Sequence, residues 1–154
     1  MSKKDKKDLL EFLKPFDARI VKLALSLREF VWDLYPKCNE LIYDNYNALA
    51  VGWSPTLKLN DIFCSIAVYG NKNVHFGFYW GSKLADPEKM LLGNGKQYRY
   101  IRVENLDDFP ADYIKLLLAE ANINSLSGMK GEAGVKGQTV VKSISPKKRR
   151  PTKK

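Results

Sequence analysis

From Asp8 the apolar positions Leu9, Phe12 and Leu13 recur at helical spacing until Pro15 breaks the run, which predicts a short first helix. Asp17 is placed as an N-cap for a second, stronger one. There Ile20, Leu23, Ala24, Leu27, Phe30, Val31 and Leu34 form an apolar stripe, Arg19, Lys22, Ser26, Glu29 and Asp33 face away, and Pro36 ends the pattern. The period then changes from helical to alternating. Four runs rich in β-branched and aromatic residues, at about 43–53, 61–69, 74–80 and 98–104, read as strands. In the second, Ile62, Cys64, Ile66 and Val68 share a face; in the third, Val74, Phe76, Phe78 and Trp80 do, and Gly70-Asn71-Lys72-Asn73 reads as the hairpin turn between them.

Between the third and fourth runs, Pro87-Glu88-Lys89-Met90 suggests a helical turn, and Gly93-Asn94-Gly95-Lys96 leads into the last strand. A final helix opens near Asp107-Asp108-Phe109-Pro110 and continues through Ile114, Leu117, Leu118 and Ala121. Helices at both ends of a block of strands predict an α+β fold. From about Ser127 the chain turns to Gly, Lys, Ser and Pro, so ordering it would cost more entropy than burial returns. The expected organisation is a basic arm at 1–8, a single domain at 9–126 and a disordered basic tail at 127–154. Gly128, Gly131, Gly134 and Gly137 recur every third residue, as in collagen, but so few triplets without proline read as chance in a linker.

Charge sharpens this division. The chain of 154 residues has a formal net charge of +9. Residues 1–8 hold four lysines against Asp5 and Asp8, and residues 122–154 hold nine Lys or Arg against Glu132, so the remainder is nearly neutral. Attraction for phosphate is therefore expected from the ends. No apolar run approaches the roughly 20 residues of a membrane span, and Met1 to Lys7 lacks the apolar centre of a secretory signal, which makes a cytoplasmic, membrane-free protein the expectation. Cys38 and Cys64 lie in apolar segments and read as buried hydrophobes; with His75 the only histidine, no tetrahedral zinc set can be assembled.

Several constellations carry chemistry. The Gly93-x-Gly95-Lys96 loop lets backbone N–H groups approach a ligand and adds a cation, though its spacing is not that of a nucleotide P-loop and a plain turn accounts for it as well. Arg99 alternates onto the face of Ile101 and Val103, and a half-buried guanidinium requires either a bound anion or an internal carboxylate, for which Glu40 and Asp44 are the nearest candidates. Tyr43 to Asn47 is a polar aromatic stretch suited to lining a cleft or to turn chemistry, and Trp80 either caps that cleft or fills the core. Asp107, Asp108 and Asp112 cluster, but helix capping explains them without a cation. Neither a nucleophile elbow nor a cofactor fingerprint is present, so the reading leans away from an enzyme and assigns no catalytic residue, metal or cofactor. In the tail, Ser145-Pro146-Lys147-Lys148-Arg149-Arg150-Pro151, followed by Lys153 and Lys154, resembles the Ser-Pro-Lys-Lys repeats of histone tails and supports contact with DNA or RNA phosphates.

The order of these signals also resembles a known family. Glu40-Leu41-Ile42-Tyr43-Asp44-x-Tyr46-Asn47-Ala48-Leu49, then Gly77-Phe78-Tyr79-Trp80-Gly81, Leu84-Ala85-Asp86-Pro87, Leu91-Leu92-Gly93-Asn94-Gly95-Lys96 and Tyr98-Arg99-Tyr100-Ile101-Arg102 are similar to the YdhG-like bacterial domain of unknown function 1801, over about residues 9–121. The resemblance implies a small α+β domain, a mostly antiparallel sheet of four to five strands covered by N-terminal and C-terminal helices, with no established reaction, and raises Glu40, Tyr43, Gly93, Gly95, Lys96 and Arg99 as site residues. Some relatives carry an iron-chaperone-like label, to which the dispersed acids here lend little support.

The leading expectation is a non-enzymatic module that binds an anionic small molecule, or a peptide or protein carboxylate, in a cleft bordered by Tyr43, Trp80, Lys96 and Arg99. The alternative is a nucleic-acid-associated accessory tethered through Lys147, Lys148, Arg149, Arg150, Lys153 and Lys154.

Overall fold

In the computed structural model, which describes residues 6–128 and 136–151, helices α1 (Lys7–Leu13) and α2 (Ala18–Leu34) precede strands β1 (Asn39–Asp44), β2 (Leu49–Ser54), β3 (Cys64–Val68), β4 (Val74–Phe78) and β5 (Arg99–Val103). Helix α3 (Ala111–Gly128) and strand β6 (Thr139–Ile144) complete the chain. Helix α2 uses the predicted stripe, rotated slightly: Ile20, Leu23, Ala24, Leu27 and Val31 are buried, but so are Arg28 and Trp32, while Leu34 turns outward. Each fully buried aliphatic side chain contributes roughly 1.5–3 kcal/mol, so the stripe offsets a large part of the chain entropy of the helix. Trp32 is held by an edge-on contact with Trp53, their ring centroids 6.5 Å apart.

The α+β class expected from the sequence is the class observed. The sheet differs. It has six strands in the order β5-β4-β3-β2-β1-β6, with β1 to β5 paired antiparallel in sequence and β6 added parallel to β1. The single run expected at 43–53 is two strands, β1 and β2, joined through a turn in which the Asn45 N–H donates to the Ala48 carbonyl. Residues 127–128 end α3, and residues 139–144, expected within a disordered tail, form β6. The physical reason lies in two features: Thr139-Val140-Val141 is a β-branched run suited to an edge strand, and β1 presents buried carboxylates that this segment satisfies. Lys153 and Lys154, like the arm at 1–5, lie outside the described residues.

Helical side chains gather with one sheet face into a single hydrophobic cluster containing Phe16, Ile20, Leu27, Val51, Ile66, Phe76, Ile114 and Leu118. Three buried apolar residues stand outside it: Leu41, Ile62 and Ala67. Leu41 and Ala67 belong to the opposite face, and Ile62 covers it at Gly52, where an added Cβ would lie 2.8 Å from the Ile62 side chain.

Candidate functional site

The residues nominated from the sequence separate into three places. Glu40 lies on β1, fully buried, and accepts from Arg28 at two points, Nε to Oε2 at 2.6 Å and Nη2 to Oε1 at 2.9 Å; Thr139 Oγ1 donates to it at 2.8 Å. This is the internal pair joining helix to sheet that the sequence suggested, with Arg28 in the part expected of Arg99. Glu40 is therefore a structural group. Arg99 instead turns back on its own loop, donating through Nη1 to the carbonyls of Gly95 at 2.7 Å and Tyr98 at 2.8 Å. The loop is anchored from the other side by Ser82, whose hydroxyl donates to the Lys96 carbonyl at 2.7 Å and whose N–H donates to the Gln97 carbonyl at 2.8 Å. Gly93 there has a φ of 114°, which favours glycine. Gly93, Gly95 and Lys96 are exposed and belong to a turn that leads into β5.

Trp80 stands beside a different cleft, of about 410 Å³, bordered also by Asn60, Asp61, Lys83 and Ser125. Its Nε1–H donates to the Asn60 carbonyl at 3.0 Å and the Lys83 ammonium sits 5.0 Å over its ring. The neighbouring Asp86 is tightly held. Burial opposes its ionisation, but a hydrogen bond from Tyr113 and N–H groups of Leu91 and Met90 outweigh that effect and keep the carboxyl below its usual range.

The second buried carboxylate of β1, Asp44, organises the C-terminal segment. Lys148 Nζ lies 2.5 Å from its Oδ2 and Arg150 Nη2 lies 2.7 Å from its Oδ1. Around this pair the Ser145 N–H donates to the Asp44 carbonyl and the Arg149 N–H donates to the Tyr46 carbonyl. The Lys148 ammonium lies 5.7 Å from the Phe12 ring and the Arg150 guanidinium 5.8 Å from that of Phe16. Two of the cations expected on a loose tail are thus folded into the domain. Past the bend at Pro146 and Lys147, Lys148 and Arg150 reach back to Asp44, whereas Lys147 and Arg149 are exposed.

Arg149 thereby joins an open groove of about 790 Å³ between two turns, bordered by Asn47, Tyr69, Lys72, Asn73 and Arg150. Arg19 fixes the far wall, its guanidinium donating to the carbonyls of Asn71, Lys72 and Glu104. Among the described residues, no carboxylate pairs with Lys72 or Arg149. This groove joins segments far apart in the chain: the sequence marks Arg149 and Arg150 as phosphate-binding cations of the tail, whereas it marks the wall at Tyr69, Lys72 and Asn73 only as a strand end and hairpin turn. The available signal was the pair of acids at spacing four on β1, which demanded cations from elsewhere.

Beside the groove begins the second sheet face. Its floor is small: Gly52, Ser65 and Gly77 are in one register row, Ala50 and Ala67 in the next. An added Cβ at Gly77 would lie 2.0 Å from Tyr98 Oη, so glycine is what lets that ring lie flat across the strand. Tyr98 is buried enough, despite a hydrogen bond with Ser65, that its hydroxyl is pushed up to about 12. From the groove inward, the Tyr69 ring lies 4.9 Å from that of His75, which stacks on Tyr100 at 4.5 Å and 11°; Tyr100 in turn stacks on Tyr98 at 5.7 Å. The Arg102 guanidinium lies 5.5 Å from the Tyr100 ring. Burial and then the charge of Arg102 hold His75 below its ordinary value, so the imidazole is neutral at pH 7. Tyr43 closes the far side of this face, its buried hydroxyl without a partner and its acidity lowered by burial and by Tyr79.

Both cysteines are buried, and burial pushes the Cys38 thiol up to about 11 and raises Cys64 further from reactivity. Among the described residues, no group of three or more His, Cys, Asp or Glu side chains is placed to hold a metal ion, and no helix is long and apolar enough to cross a membrane. Comparison with known protein families, curated proteins and solved structures gives no match to this chain.

Proposed function

We propose that the protein is a binding module for anionic ligands, and that recognition takes place in the groove walled by Asn47, Tyr69, Lys72, Asn73 and Arg149. The observation that carries this reading is the pair of cations, Lys72 and Arg149, which border one concave surface without carboxylate partners. A cation neutralised within the fold adds little to ligand affinity, whereas one held in place and facing solvent retains its full field. Arg150, anchored on Asp44, holds its neighbour Arg149 at the rim, so little side-chain and backbone freedom is left to lose on binding. The amides of Asn47 and Asn73 supply neutral hydrogen-bonding groups for phosphate or carboxylate oxygens. The Gly93 to Arg99 loop, with Lys96, has no part in this site. Calorimetric titration with pyrophosphate tests the proposal. The unaltered protein and Lys96→Gln bind it alike, and Lys72→Gln combined with Arg149→Gln abolishes binding; retention by the double variant would dismiss the groove.

A further inference from the structure

Tyr69 belongs to two surfaces at once. It borders the cationic groove, and it is the outermost ring of the aromatic series that continues through His75 and Tyr100 to Tyr98. We infer that the anion of the groove is the backbone of a single-stranded nucleic acid, with a base stacked on Tyr69 at the edge of the second sheet face. This rests on the anion-binding reading of the groove and adds what kind of anion it is.

Three features distinguish this occupant from a simple anion or a peptide carboxylate. First, Tyr69 is half exposed, with relative exposure of 49%, although it adjoins a packed row of rings. A phosphate or carboxylate makes no use of such a ring, whereas a nucleobase gains by stacking on it. Second, the cations continue past the groove: Lys147 faces outward from the same segment, and Arg102 lies over Tyr100 on the face itself without a carboxylate partner among the described residues. A row of separate cations beside flat rings matches a chain of phosphates carrying bases. Third, the ring series runs from exposed Tyr69 through His75 and Tyr100 to Tyr98, so a base on Tyr69 extends a stack the fold has already built. A duplex keeps its bases stacked on one another and withholds them from such a surface, so the site selects single strands. His75, neutral at pH 7, keeps the row apolar enough to stack.

Fluorescence anisotropy with an oligothymidylate, an abasic oligonucleotide of the same length and a duplex tests this, with pyrophosphate calorimetry run on the same samples. The oligothymidylate is expected to bind about tenfold more tightly than the abasic strand, and Tyr69→Ala to remove that advantage while Tyr69→Phe keeps it. Lys72→Gln and Arg149→Gln each lower the slope of log affinity against log salt by about 0.7, the share of one phosphate contact on a single strand. Equal binding of the thymidylate and abasic strands, tighter binding of the duplex, or an unchanged Tyr69→Ala would overturn the inference even where pyrophosphate still binds. Loss of pyrophosphate binding as well would remove the groove reading beneath it.

Discussion

Arg99 and Arg150 both lie at the margin of the same sheet and both donate hydrogen bonds within the fold, yet they do different work. Arg99 reaches the carbonyls of Gly95 and Tyr98, neutral acceptors within four residues of itself. Arg150 reaches the carboxylate of Asp44, 106 residues away and fully buried. A solvent-exposed hydrogen bond to a neutral carbonyl adds about 1 kcal/mol and shapes only a local turn; a buried charge demands its partner wherever the chain can supply one. The acid on β1 therefore recruits the C-terminal segment into the fold, while the loop cation leaves its surroundings as it found them.

The strand that carries Asp44 gives the strongest way to sharpen this contrast. Glu40, also on β1, loses its main counter-charge in Arg28→Ala, and a fully buried carboxylate left with only Thr139 destabilises the protein by about 3–5 kcal/mol in urea unfolding. Asp44→Asn follows at about 2–3 kcal/mol, less because the partly exposed Lys148 can turn to water. Its diagnostic effect is local: limited trypsin cleavage after Lys147 and Lys148 accelerates before the rest of the domain opens. A resistant segment in that variant would break the comparison.

Smaller effects are expected where the carboxylate is nearer solvent. Asp86→Asn weakens the hydrogen bonds to Tyr113, Leu91 and Met90 by about 1 kcal/mol in all, with solvent screening limiting the loss. The folded carboxyl lies below its unfolded value, so its stabilisation is complete above about pH 4 and fades as the pH falls through the folded value. Unfolding measured against pH should show that acid-side loss in the unaltered protein and less of it in the variant. Arg99→Ala is the mildest, at about 1 kcal/mol or below, with pyrophosphate binding unchanged.

Much of the fold was legible because it rests on local periodicity. The stripe of α2, the β3–β4 hairpin and the placement of Ile101 and Val103 inside with Tyr100 and Arg102 opposite all follow from spacing alone. Arg28 and Trp32 were missed because their burial depends on Glu40 and Trp53, which lie in other elements. The same holds for β6. The segment around it has the composition of a linker, and the short β-branched run Thr139-Val140-Val141 gains a partner only once β1 presents its edge and the acids at positions 40 and 44. The site was less legible still, since Lys72 and Arg149 meet only after the sheet has formed, whereas the glycine loop was conspicuous in one dimension and is an exposed turn in three.

Hydrogen exchange at the amides of β6 tests the central account most directly. If Asp44 and Glu40 bind the C-terminal segment into the sheet, Val140 to Ile144 exchange slowly, and Asp44→Asn speeds that exchange while β3 and β4 stay protected. Exchange of the β6 amides at the rate of an unstructured peptide in the unaltered protein would contradict it.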